Sequence, residues 1–189
     1  SLTHVSGEIT LHHNSKLTSL HGLENLQVVG QDMVLLNLEQ LTGTNALEGL
    51  ERIGGDFGIQ GCHHIHNLEG LESLGSIGGG IIFYDNQGLV SFQGLDSLSE
   101  MGGSLVLHNH HALETLDGLE SLTHIGHEVE FFSNTRINNV MALSSISAIG
   151  SNIRFENNES LSSCQLEAML NEIGTENIGG TITLDGSCL

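Results

Sequence analysis

Basic residues are scarce in this chain of 189 residues. Four lysines and arginines stand against 23 aspartates and glutamates, a formal charge of −19. A field of that sign repels phosphate backbones, which excludes nucleic acid as a partner, and it disfavours anionic lipid surfaces for the same reason. The carboxylates are spread along the whole chain rather than gathered in an acidic tail. No run of about 18 apolar residues occurs, so no helix is expected to span a membrane. A secretory leader is also missing, and Ser1 reads as the start of a processed or trimmed chain. Proline and tryptophan are absent and only 4% of residues are aromatic, yet 38% apolar content suffices for a core.

Cysteine is scarce too. Cys62, Cys164 and Cys188 lack the C-x-x-C spacing of zinc or redox sites. Two of them lie near the C-terminus, where one Cys164–Cys188 disulfide is expected, and with it an oxidising, extracytoplasmic location.

What the chain has in abundance is glycine, 25 residues of it, and a phrase that keeps returning. Val29, Ile53, Ile77, Met101, Ile125 and Ile149 follow one another at intervals of 24, and each is followed by glycine. Leucine columns keep the same period, as in Leu23, Leu47, Leu71, Leu95, Leu119 and Leu143. A constant period of this length marks stacked repeats, each burying its apolar side against its neighbours. After the glycines come short alternating segments, "EITLH", "GIIFY", "SLVLH" and "EVEFF", the pattern of a strand with one buried face. The stretches between are too rich in Gly, Ser and Thr for helices, and fit the short sides of a parallel β-solenoid with glycine corners. One inward polar column reads Asn14, Leu38, Cys62, Asn86, His110, Asn134 and Asn158. Its asparagines are expected to hydrogen-bond along the turn, with Cys62 a buried free thiol among them.

The phrase "GLESL..IGG.L.I..N..L..L.GLESL" in residues 70–119 resembles the receptor L-domain family. That family is a right-handed β-helix of growth-factor-receptor ectodomains, fungal wall proteins and bacterial surface proteins. The likeness covers residues 1–163, is specific for fold and uninformative about ligand, and its even period is closer to the microbial members. It implies an all-β, right-handed parallel β-solenoid of about seven 24-residue coils. "SLTHVSG" at the start mirrors "SLTHIGH" at 121–127, so the chain begins part-way through a coil, as though cut from a longer protein. At the other end the period breaks: "SCQLEAMLNEIG" reads as a helix, and the next "IGG" comes 29 residues after Ile149. Residues 164–189 are therefore expected to form a cap that shields the last β-edge.

Function has to be sought on the outward columns. Val34, Leu36, Ile82, Tyr84, Val106, His108 and Phe132 make a partly apolar, partly aromatic strand face where polar residues would be ordinary. Such a face suits a partner surface, a contact between copies, or simple β-propensity. Histidine is the second oddity, with twelve in the chain and groups at 63–66 and 108–111. His63, His64, Asp85, His108, His110 and His111 form a candidate metal set, although the two groups sit on the order of 10 Å apart by strand spacing. A charge switch below pH of about 6.5 is the other reading of so many imidazoles. Third is an acidic ladder, Glu24, Glu48, Glu72, Asp96 and Glu120, which fits a solvated face better than a calcium site because no calcium-loop pattern accompanies it.

An enzyme is disfavoured. Polysaccharide cleavage needs basic residues to hold uronates, and Lys16, Arg52, Arg136 and Arg154 are scattered. A repeated carboxylate column offers no distinct environments for acid and base roles, and no G-x-S-x-G or phosphate-binding loop is present. The expectation is a secreted or surface-displayed recognition or adhesion module without cofactor. It would bind a protein or glycan on another cell or surface, or serve as an oligomeric spacer.

Overall fold

The computed structural model describes residues 2–185, and its chain winds into a parallel β-solenoid of about six turns ending in one short helix. Two sheets run the length of the stack. A narrow one joins seven two-residue rungs from His4–Val5 to Ala148–Ile149, and a broad one joins eight strands from Ile9–His12 to Ile182–Leu184. All pairings are parallel, and between regular coils they link residues 24 apart, as in Leu105 with Ile81 and with Val129. About seven coils were expected. Seven rungs enclose six full periods, which accounts for the smaller count.

Between the sheets lies one apolar core, in which Leu26, Leu50, Leu74, Leu98 and Leu122 are fully buried along one column. Stacked phenylalanines fill its centre: Phe57 meets Phe83 edge-on at 5.3 Å and Phe83 lies parallel to Phe92 at 5.7 Å. Core leucines recur at every coil because each unit's apolar side has no cover except its neighbours.

Corners of three kinds turn the chain. In the Gly-Leu-Glu corner the carboxylate turns back onto the glycine amide: Gly22 N–H donates to Glu24 at 3.0 Å, and Gly70, Gly94 and Gly118 donate likewise to Glu72, Asp96 and Glu120. Those four glycines have φ of 98° to 107°, a region closed to most side chains. Where alanine replaces the glycine, at Ala46 and Ala142, the corner becomes a 3₁₀ turn instead (Asn45–Leu47 and Met141–Ser145). The acidic ladder thus serves the turn. Its hydrogen bond from Gly22 holds the Glu24 carboxyl down at about 2.

At the second corner, just after the broad strands, His13, Asn37, Gly61, Asp85, Asn109, Ser133 and Asn157 all adopt φ between 52° and 65°. Asn and Asp tolerate this left-handed region and Gly adopts it freely, but serine is a poor choice. Ser133→Gly is therefore expected to raise stability by roughly 0.5 to 1 kcal/mol, read as a higher denaturant midpoint with unchanged slope.

The third corner is the column Gly30, Gly54, Gly78, Gly102, Gly126 and Gly150. A Cβ on any of them would sit 1.9 to 2.3 Å from the carbonyl oxygen one coil below. Glycine here sets how closely the coils stack.

The inward polar column bonds along its own turn at Asn14 and Asn158, as expected, and between coils as well, which the expectation did not include. Asn134 accepts from the His110 amide at 3.0 Å and donates through Nδ2 to the Leu107 carbonyl at 2.8 Å. Asn86, two rungs earlier, and Asn158, one rung later, do the same. Each buried side chain so satisfies two main-chain groups. Asn14, on the first coil, is exposed. Cys62 occupies the column as a buried free thiol, its ionisation pushed up by burial.

The cap is helical over Ser163–Ile173, with the Ser162 hydroxyl accepting from the Gln165 amide. Leu166, Met169, Leu170 and Ile173 face the last coil and are buried. The helix absorbs the extra residues, after which Ile178 pairs with Ile149 and the strand Ile182–Leu184 closes the broad sheet. Cys164 is disulfide-bonded; Cys188, its expected partner, lies outside the described residues. No helix among the described residues is long and apolar enough to cross a membrane.

Candidate functional site

Alternation along each broad strand sends one residue set inward and the other out. Leu105 and Leu107 are fully buried, while Val106 and His108 lie on the outer face, in register with Ile82 and Tyr84 on one side and Glu130 and Phe132 on the other. The seven expected residues therefore share one sheet face, with Val34 and Leu36 separated from Ile82 and Tyr84 by the strand that carries Gly58 and Gln60. Six are half-buried; Val106 is the exception at 7% exposure. It lies between two broader neighbours and contributes to the floor of the face rather than to its contact surface.

Three regions divide this face. An aromatic rail runs across the coils: Tyr84 meets His108 edge-on at 5.0 Å, and His108 meets Phe132 at 5.7 Å. Burial, then the charges of Glu130 and Glu128, raises the Tyr84 hydroxyl above its ordinary range. His108 Nε2 is held by Glu130 at 2.7 Å. Towards the C-terminal end the surface turns polar and charged, with Arg154 bridging both oxygens of Glu156 at 2.7 and 3.1 Å.

Towards the N-terminal end the face opens into a notch of about 220 Å³. Its floor is Gly58, its walls are Val34 with Leu36 and Ile82 with Tyr84, and Asp32, Asp56 and Gln60 rim it. The notch exists because glycine interrupts a column of branched residues. A Cβ at Gly58 would meet the Val34 methyls at 3.6 Å, an ordinary contact. Asp32 and Asp56 each spend one carboxylate oxygen on the coil above, accepting from the amides of Asp56 and Gly80 at 2.8 and 2.7 Å. The outward column already held the clue to the notch, a lone glycine among Val34, Ile82 and Val106. Its carboxylate rim was missed because those residues precede the strand.

The proposed metal set is not brought together. His110 is fully buried, its Nδ1 accepting from the Asn86 amide at 3.1 Å. His64 Nδ1 lies 2.7 Å from the Glu39 carbonyl, His111 pairs with Thr135 at 3.3 Å, and His108 is engaged by Glu130. His63 and Asp85 are exposed on successive coils. Among the described residues, no three His, Cys, Asp or Glu side chains converge to hold an ion. Stacking spreads these histidines over different coils and turns one of them inward.

A second depression of about 530 Å³ lies over the narrow sheet, lined by Arg52, Ser76, Glu100 and His124 above glycine backbone. Its lining changes residue type at every coil and joins no aromatic surface. No protein-family model matches the chain, and no curated protein or solved structure does.

Proposed function

We propose that this chain is a non-enzymatic recognition module of the receptor L-domain type, acting outside the cell and binding a protein or glycan through the outer face of its broad sheet. The observation that carries the reading is the rail of Tyr84, His108 and Phe132 beside the apolar notch at Gly58, on a sheet face with no covering layer among the described residues. Contiguous half-exposed apolar and aromatic surface is the mark of a contact site, and rigid aromatics are the residues that carry binding energy. The disulfide-bonded Cys164 supports an oxidising compartment. Scattered basic residues and turn-bound carboxylates supply no set of reacting groups.

The test is a double variant, Tyr84→Ala with Phe132→Ala. On protein and glycan arrays its capture should fall at least about tenfold, while thermal unfolding shifts little because both side chains are half-exposed. Undiminished capture would remove this face from the role. Light scattering of the wild type adds a second arm: a stable dimer that the double variant abolishes would instead make the face a contact between copies.

A further inference from the structure

We infer that the Gly58 notch is the seat of a single basic side chain, a lysine or arginine presented by a protein partner. This rests on the reading of the broad sheet as the binding face. Register arranges the notch lining in three tiers along the strands. Asp32 and Asp56 stand at the first, Val34, Gly58 and Ile82 at the second, and Leu36, Gln60 and Tyr84 at the third. Successive tiers lie about 6.6 Å apart, so carboxylates, an apolar trough and an aromatic ring follow one another in line. A lysine or arginine has the same sequence of parts: a charged head and an apolar stem that lies along nonpolar surface.

Charge points the same way. None of the chain's four basic residues lines the notch, so its two carboxylates face the trough without a cation of their own. The net charge of −19 would draw a basic partner in and repel an acidic glycan, and it gives a neutral sugar no advantage. The ring of Tyr84 stands at the far end of the trough from the carboxylates, where it extends the nonpolar surface along which the stem lies. Asp32 and Asp56 are already held in place by the amides they accept from, so little ordering is required on binding.

Tyr84 is the sole tyrosine and there is no tryptophan, so intrinsic fluorescence reports this notch without a label. The experiment titrates the protein with trilysine amide, and with the same peptide acetylated on every side chain, in about 150 mM salt. Trilysine should give a saturable change in Tyr84 emission, at least about tenfold weaker for the acetylated peptide. Gly58→Val should weaken trilysine by a similar factor. That substitution alters no charge, so nonspecific attraction to an acidic protein is unaffected, and Gly58→Ala serves should valine perturb the strand. Asp32→Asn with Asp56→Asn should also weaken it by removing both negative charges, while the amide oxygens still accept the two ladder hydrogen bonds and keep the strands in place.

Equal affinity for the acetylated peptide, with both lost in Gly58→Val, would overturn the basic-side-chain assignment and leave the binding face standing. Trilysine binding unchanged in Gly58→Val, or no saturable change at all, would also overturn it. In that case the face itself is judged by the Tyr84 and Phe132 double variant on arrays.

Discussion

Gly102→Ala should cost about 3 kcal/mol, lowering the thermal midpoint by roughly 10 °C. The added Cβ would stand 2.2 Å from the Gly78 carbonyl oxygen, well inside contact distance. Neither side can yield cheaply. Gly102 N–H donates to the Ile77 carbonyl at 3.0 Å and Gly103 N–H to the Gly79 carbonyl at 2.7 Å, so parting the two coils stretches the bonds that stack them. The φ of Gly102 lies outside the left-handed region, so the penalty is one of space and not of backbone conformation. Gly58 is the control. Gly58→Ala meets only ordinary contact and should leave stability unchanged or raise it by about 0.5 to 1 kcal/mol, the usual gain on replacing glycine within a strand. Denaturant unfolding of the two variants side by side decides it. Equal midpoints would mean that the glycine column does not set the coil spacing.

His110→Asn carries the second large effect, and its sign depends on pH. His110 sits fully buried in the asparagine column. Its Nδ1 accepts from the Asn86 amide, which leaves the proton of the neutral ring on Nε2. That nitrogen makes no well-formed hydrogen bond among the described residues. Burial holds the imidazole down at about 4 against an ordinary 6.5, with the charge of Asp85 partly offsetting it and that of His108 adding to it. The unfolded chain takes up this proton near pH 6.5 and the folded chain only near 4. The ring's contribution is therefore fully present above pH 6.5 and is lost as pH falls from 6.5 through 4, by about 3 kcal/mol in all. Asparagine has no such titration. Like Asn134, it can accept from the amide below and donate to the carbonyl 27 residues back, here Phe83. His110→Asn should thus be the more stable protein at pH 7 by about 1 kcal/mol, and the gap should widen to about 4 kcal/mol at pH 4. Urea midpoints of both proteins from pH 7.5 to 4 measure this, and a constant gap would place the acid sensitivity elsewhere.

Much of the fold was legible because a single number, 24, repeats. Val29, Ile53 and Ile77 gave the period, and the structure makes each the end of a two-residue rung, Val28–Val29, Arg52–Ile53 and Ser76–Ile77, paired in that register. The alternation in "GIIFY" assigns Ile81 and Phe83 to the core and Ile82 and Tyr84 to the outside, as found. The break after Ile149 marked the helical cap, and residues 163–174 anticipated Ser163–Ile173 to within a residue. Side-chain partners were not legible in this way. Glu72 in a repeated column looks like surface charge until its carboxylate is seen on the Gly70 amide. The period already placed His110 in the inward column, but it gave no sign that the ring would accept from the Asn86 amide through Nδ1 and leave Nε2 without a well-formed hydrogen bond among the described residues.

What the sequence determined by itself was the path of the chain: coil length, the alternating strands after the glycines, the inward columns and the capped end. Period and alternation are backbone properties, written in the order of residues and common to every coil. Only the tertiary structure decided which outward positions stay open and which are covered, that Val106 sinks while Tyr84 stays half-buried, that His108 is taken by Glu130, and that Gly58 leaves a notch. Those outcomes depend on the relative sizes of side chains brought together from different coils, some 22 to 26 residues apart, and no repeat pattern ranks them.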